Sequence, residues 1–428
     1  MSSGNSGIAR YRRTQRVLLA LLVAIGMVNV LDRSALSIAN HVISQELHLS
    51  PVQMGLLLSV FSWVYAFAQL PTGALLDRIG TRVVLGAGLF LWSVAQLGCG
   101  LVSSLQGLIW CRLGLGLGEA PTFPAGAKLL AQWYGRKDRG TATGVFLASP
   151  TIGPMLAPPI LTGLLLAFGW RSMFVILGVV GIVLMGLWFY ATPRHAPSSD
   201  AFADARPEDA DDDGEAERKL SWADWRGLFV QRTTWGVVLG FVGVIYMIWL
   251  YLTWLPGYLE HQRHLSIANT GWVMTIPYFF GAVGSICSGR ICDRLAARGM
   301  SLIKSRKWPI CIGLLASACF TVPMIYASST TWAIIYLCAT MFFLYFAGGG
   351  AWALVNVAAP KHLVASLGSL QNFGGYFGGS FAPVLTGWMV QRTHSFSSSL
   401  LLSAIVAIAA ALIYALLVGK PIHSSSDT

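Results

Sequence analysis

Five charged side chains sit inside otherwise apolar stretches: Asp32, Arg33, Arg112, Glu119 and Lys128. An ionised group near the middle of a bilayer costs about 2.5–3.5 kcal/mol by insertion scales, so a residue kept there is expected to work. A carboxyl group in an apolar setting holds a proton more readily than one in water, which suits it to carry protons. Arginine cannot lose its proton and offers a two-pronged dock for a carboxylate. Asp32 and Arg33 are adjacent. Glu119 lies seven residues after Arg112, two helical turns on nearly the same face. Two acids and two arginines facing one cavity suggest coupled movement of protons and an organic anion. The alternative is two buried ion pairs that only join helices, a weak motive because buried pairs are poor stabilisers. Lys128, near a span end, can snorkel to the surface and reads as structural.

Membrane helices must position these groups. Of the 428 residues, 55% are hydrophobic and 11% charged, against about 25% charged in a soluble chain. This excludes a cytosolic enzyme, a disordered protein and a disulfide scaffold, and leaves an integral membrane protein. Crossing a bilayer takes about 20 apolar residues. Twelve such runs fall at 17–39, 51–75, 82–102, 105–132, 141–166, 170–192, 234–260, 268–293, 307–327, 331–357, 365–391 and 396–418. They are continuously apolar rather than alternating, so helices and not strands are expected. At 1.5 Å per residue, Asp32 sits about 22 Å from the inner end of span one and Arg112 about 9–10 Å from the outer end of span four. In a core about 30 Å thick the two lie at similar depth.

Charge placement sets the orientation. The net charge is +11, but ten of the 18 acids fall in residues 193–233 with six basic residues. The other basic residues cluster at the ends of apolar runs, which is a topology signal and not a nucleic-acid face. With a cytoplasmic N-terminus, 23 lysines and arginines lie inside and only Arg171, Arg263 and Arg392 outside. Both termini are therefore expected in the cytoplasm. Arg10–Arg16 before an apolar stretch resembles a signal peptide, but the stretch is too long and carries a charged pair.

The expected organisation is a tail at 1–16, a six-helix bundle at 17–192, a cytoplasmic loop at 193–233, a second bundle at 234–418 and a tail at 419–428. The loop centre, Glu208 to Asp213, reads as a solvated linker, and Ser221–Phe229 as an amphipathic segment on the inner surface. The halves repeat: Gly73-x-x-x-Asp77-Arg78 with Arg82 follows span two, and Gly289-x-x-x-Asp293-Arg294 follows span eight, 216 residues later. This is the mark of duplicated six-helix units. Over essentially its whole length the chain resembles the major facilitator superfamily. That resemblance implies that Asp77, Arg78 and Arg82, and more weakly Asp293 and Arg294, latch the halves in one access state.

Local motifs narrow the resemblance. Asn29-Val-Leu-Asp32-Arg33, Tyr65 with Gln69-Leu-Pro71, and Arg112 with Gly118-Glu119-Ala-Pro121 occur together. So do Thr253-Trp254-Leu-Pro256 and Ala359-Pro360-Lys361. The set is similar to the anion:cation symporter family, which carries sugar acids, tartrate, aromatic acids and other organic anions. The resemblance implies proton-linked roles for Asp32 and Glu119 and substrate contact for Arg33, Tyr65 and Arg112. Three positions depart from it: Val30 where many sugar-acid members have tyrosine, Pro150 where glutamine is common, and Asn372 with Tyr376 for a pair of asparagines. A site with fewer hydrogen-bonding side chains suits a polyol poorly, which leans the expectation toward a smaller or aromatic carboxylate. Trp254, beside Trp249 and Tyr251, is a further candidate for the cavity lining.

Other signals carry less. Gly114-x-Gly116-x-Gly118 lies inside an apolar span and reads as helix packing, not a nucleotide loop. The seven cysteines fall within spans without CxxC spacing, and the eight histidines, in loops or near span ends, form no metal cluster. The expectation is a monomeric inner-membrane carrier, not an enzyme, importing an organic anion with protons by alternating access. It needs no cofactor beyond the proton gradient; its partners are the anion, protons and the lipid bilayer, with no nucleic acid. Proton-driven export and a non-transporting anion sensor are the alternatives.

Overall fold

Sixteen α-helices account for the described residues of this computed structural model, which are 2–193 and 222–422. The acidic centre of the long loop and Ser221 lie outside them. Span one is carried by α1 (Ser2–Ile38), with a short α2 (Asn40–Glu46) at its end. Spans two and three are α3 (Pro51–Ile79) and α4 (Thr81–Leu101), joined at Gly80. Gly80 has φ +92°, a region that strains any residue with a side chain. Gly299, at φ +89°, makes the corresponding turn between α11 (Ile267–Ala297) and α12 (Leu302–Tyr326). The duplicated loop motif is thus duplicated in backbone conformation as well.

Span four is broken into α5 (Leu105–Glu119) and α6 (Thr122–Trp133). Ser104 caps α5 by accepting the Gly107 N–H, satisfying one of the orphan donors of a helix start. The break falls at Ala120-Pro121, where proline has no N–H for the helical ladder. Glu119 is consequently the last residue of α5.

Spans five and six lie in α7 (Arg136–Leu147) and α8 (Ser149–Ala191). At 43 residues, α8 would be about 65 Å long if straight, twice a bilayer core. Gly169, at φ +78°, interrupts it between the two expected spans.

A short α9 (Trp222–Val230) then leads into α10 (Arg232–Gly257), which ends in a π-helical turn, Tyr258–Gln262. After α11 and α12 come α13 (Thr330–Ala358), a broken span eleven in α14 (Lys361–Gly379) and α15 (Phe381–Thr393), and α16 (Ser397–Leu417). Nine stretches among the described residues are singly long and apolar enough to cross a membrane. One of these holds spans five and six, and broken spans four and eleven complete the twelve. Exposed Trp110, Trp272 and Trp332 lie near the expected outer ends and Tyr190, Trp235 and Trp308 near the inner ends, the arrangement of interfacial aromatic belts.

By contacts the chain forms two units. The first takes Met1–Ala35, Phe67–Ala157 and Leu164–Glu217; the second takes Leu36–Ala66, Pro158–Gly163 and Arg218–Thr428. Within the first, α4 packs closely on α5: a Cβ at Gly118 would lie 2.6 Å from the Trp92 amide nitrogen. The glycine run therefore serves helix packing. Within the second, the expected outer ends of spans one and two are tied to the C-terminal helices. Ser37 Oγ donates to the carbonyls of Leu252 (2.8 Å) and Thr253 (2.7 Å), and the Val384 N–H donates to Ser59 Oγ.

Candidate functional site

In the first unit, α1 and α5 bring the four intramembrane charges together. Asp32 and Arg112 are 1% exposed, Glu119 is fully buried and Arg33 is 9% exposed. Asn29, Asp32 and Arg33 lie at spacings of three and four, which puts them on one face of α1. Val30 falls off that face and packs against Gly153 of α8, where a Cβ would lie 2.8 Å from its side chain.

Arg33 Nε donates to Glu119 Oε2 at 2.7 Å, a charge-assisted bond at the short end of its range. Glu119 Oε1 and both oxygens of Asp32 have no hydrogen-bond partner among the described residues. Arg33, Arg112 and Glu119 all act electrostatically on Asp32. The charged residues and their helical faces were readable from sequence. The cross-pairing of Arg33 with Glu119 was not, because it depends on how α1 is rotated against α5.

The second unit holds the aromatic candidates. Tyr65 and Tyr376 have ring centroids 5.1 Å apart, and Trp249 lies 6.2 Å from Tyr376. Phe61 closes the circuit, 6.0 Å from Trp249 and 5.7 Å from Tyr65. These rings come from α3, α10 and α14. Phe61 was not singled out by sequence, although its four-residue spacing from Tyr65 is the signal that finds it. Asn372 is half-buried on α14. Its neighbour Gln371 is fully buried, with neither amide atom bonded among the described residues, and was also missed. Trp254 lies outside the circuit: its Nε1 donates to the Pro383 carbonyl at 2.9 Å and its ring packs on Phe396.

The loop residues take separate partners. Lys128 Nζ donates to Asp77 Oδ1 at 2.6 Å and to the Leu76 carbonyl, so the lysine pairs with the loop acid. Asp293 accepts from Arg306 at 3.3 Å, the counterpart pair in the second half. Arg82 donates to the carbonyls of Thr192 and Phe189 and stacks on the Phe189 ring, fastening α4 to the end of α8. Arg78 and Arg294 are exposed. No group of three or more His, Cys, Asp or Glu among the described residues could hold a metal.

Chemically, the first unit offers two buried carboxyl groups, one of them holding a guanidinium, with a second guanidinium nearby. Such a set can exchange a proton for a change of ion-pair partner.

The sequence profile of the Major Facilitator Superfamily matches residues 22–383. The chain is 42% identical over 419 residues, 97% of its length and 91% of the other's, to a probable L-galactonate transporter of Escherichia coli K12. It is 33% identical to the probable galactarate/D-glucarate transporter GarP of the same strain, covering 95% of each. The fold matches the crystal structure of a bacterial homologue of the human lysosomal transporter Spinster, inward-facing and unoccupied, with a TM-score of 0.82 at 18% identity over 95% of this chain and 97% of the other. Twelve helical crossings, the doubled loop turn, the profile match and transporter relatives along almost the full length lead to one assignment: the chain is a transporter, not an enzyme, and belongs to the Major Facilitator Superfamily.

Proposed function

We propose that this protein imports a sugar acid, an aldonate such as L-galactonate being the first candidate, together with protons. The observation that carries the reading is the buried Arg33–Glu119 bond. While Glu119 is ionised it occupies Arg33. A proton on Glu119 removes one charge of that pair and leaves the guanidinium able to take the substrate carboxylate in a bidentate bond. The substrate anion thereby replaces Glu119 as the counter-ion, and the loaded carrier buries no extra charge. Asp32, without a donor at either oxygen, is the second proton carrier, and Arg112 the second cation at the site.

The lean toward a smaller or aromatic carboxylate gives way to a sugar acid on two grounds. Relatives at 42% and 33% identity are named for aldonate and aldarate transport. The buried amide of Gln371, not bonded among the described residues, also supplies donors and an acceptor of the kind that the three sequence departures had suggested were scarce. Tyr65, Trp249 and Tyr376 are proposed as contacts for the hydroxylated chain, with Asn372. Asp77, Arg78 and Arg82, and Asp293 and Arg294, are proposed to steady the inner gate during alternating access. An inner-membrane location with both termini in the cytoplasm fits the distribution of basic residues, and the carrier is proposed to act as a monomer.

Proteoliposomes with an imposed proton gradient test the reading. Radiolabelled L-galactonate should accumulate above its equilibrium level and be released by a protonophore. Accumulation that ignores the protonophore removes proton coupling; accumulation of no sugar acid removes the substrate class.

A further inference from the structure

A cavity of 590 Å³ lies at the expected outer end of the second unit, formed by α2, the π-helical turn after α10 and the junction of α15 with α16. Its volume falls in the range of small-molecule sites. Four of its lining residues are histidines: His41, His261, His264 and His394. The sequence disperses them, and none drew attention as a cluster. No carboxylate lines the cavity. The nearby charged groups on the same elements are Glu46, Glu260, Arg263 and Arg392, and none of these is among the lining residues. Arg263 is turned to the carbonyls of Ala327 and Met324 and to the Tyr258 hydroxyl.

Two of the imidazoles touch. His41 Nδ1 and His261 Nε2 are 3.1 Å apart, with ring centroids at 4.7 Å. A hydrogen bond between ring nitrogens requires one of them to lack a proton. When both rings are protonated the bond is lost, and two cations present N–H groups to each other. A carboxylate resolves that conflict, because it offers an acceptor oxygen to each ring and a compensating charge. Anion binding and proton uptake at this pair must then reinforce one another, since linkage is reciprocal.

We propose that this cavity is a capture site for a small organic carboxylate, taken up between His41 and His261 as both become protonated, and separate from Arg33 and Arg112. That the captured anion is the transported sugar acid rests on the function proposed above.

The test uses full-length protein in nanodiscs with 15N-labelled histidine, assigned by single His→Gln variants. The probes are L-galactonate, acetate as a bare carboxylate, and uncharged galactitol. At about pH 5.5, where histidine charges, both carboxylates should shift the His41 and His261 ring signals saturably, and galactitol should not. The shifts should persist in Arg112→Gln and be lost at about pH 7.5. No saturable shift, an equal shift with galactitol, or loss of the shift in Arg112→Gln would overturn the proposal. Should Arg112→Gln fail to fold, His261→Gln serves instead: it must abolish the His41 shift, and a surviving shift overturns the proposal. Histidine shifts in a protein that does not transport galactonate uphold the capture site and remove the sugar-acid reading. Galactonate transport without histidine shifts does the reverse.

Discussion

Arg33 and Glu119, 86 residues apart in sequence, are joined by a 2.7 Å bond between two buried side chains. Glu119 stands at the end of α5, immediately before the helix break at Ala120-Pro121. Such a break frees backbone from the helical ladder, as at the sites of other carriers with discontinuous helices. An acid that holds an arginine, placed beside a break, can pass the arginine to a substrate when it takes a proton.

Substituting Ser37 should loosen the attachment of the end of span one to α10. Ser37→Ala removes the donor to the Leu252 and Thr253 carbonyls, a loss of about 0.5–1.5 kcal/mol. That corresponds to a shift of roughly 2- to 12-fold toward the detached state of this contact. The labelling rate of a single cysteine at Ser62, in a background without native thiols, reads the change. An unaltered rate contradicts this role for Ser37.

The glycine at position 118 should resist enlargement. In Gly118→Ala the new methyl meets the Trp92 amide nitrogen at 2.6 Å and the Gly88 carbonyl at 2.8 Å. Both contacts are backbone, so the helices must move apart, at a cost of about 1–3 kcal/mol. Gly163→Ala, with nothing within 4 Å, is the control. Thermal unfolding in detergent should show a lower midpoint for the first and none for the second.

Lys128 separates structural from gating roles. Its partner Asp77 is 75% exposed, so the pair contributes only about 0–1 kcal/mol to stability. Lys128→Met should leave the thermal midpoint nearly unchanged. If the loop pair steadies the inner gate, the same variant slows turnover without altering substrate affinity. A large loss of stability would make Lys128 a packing residue.

Tyr376 tests the substrate class. Its ring centroid lies 5.1 Å from that of Tyr65, with the two rings tilted, and its hydroxyl is proposed to bond the polyol chain. Tyr376→Phe keeps the ring contacts and should weaken L-galactonate binding by roughly tenfold, about 1.4 kcal/mol. Unchanged galactonate affinity together with stronger benzoate binding would return the site to aromatic carboxylates.

Much of this was legible beforehand, for identifiable reasons. Apolar run length gave the twelve crossings, and basic residues at run ends gave their expected orientation. The repeated Gly-x-x-x-Asp-Arg anticipated the paired turns at Gly80 and Gly299. Asp32, Arg33, Arg112 and Glu119 stood out because charge is costly in an apolar span. Which acid meets which arginine did not follow, since helical periodicity fixes a face and a depth but not the rotation of one helix against its neighbour. For the same reason Phe61 joined the aromatic circuit unannounced, and His41 met His261 across 220 residues. The grouping of Leu36–Ala66 with the C-terminal helices rests on contacts such as those of Ser37 and Ser59, which no sequence pattern encodes.

The most direct test of the Arg33–Glu119 exchange is the pH dependence of substrate binding in Glu119→Gln, measured by calorimetry with L-galactonate. In the natural protein, affinity should rise as pH falls, approaching tenfold per pH unit where one proton accompanies each anion. Glutamine is neutral at every pH and leaves Arg33 without its carboxylate partner. The variant should therefore bind at least as tightly as the natural protein at low pH, and lose most of the dependence. A variant that keeps the full pH dependence, or fails to bind while remaining folded, contradicts the account.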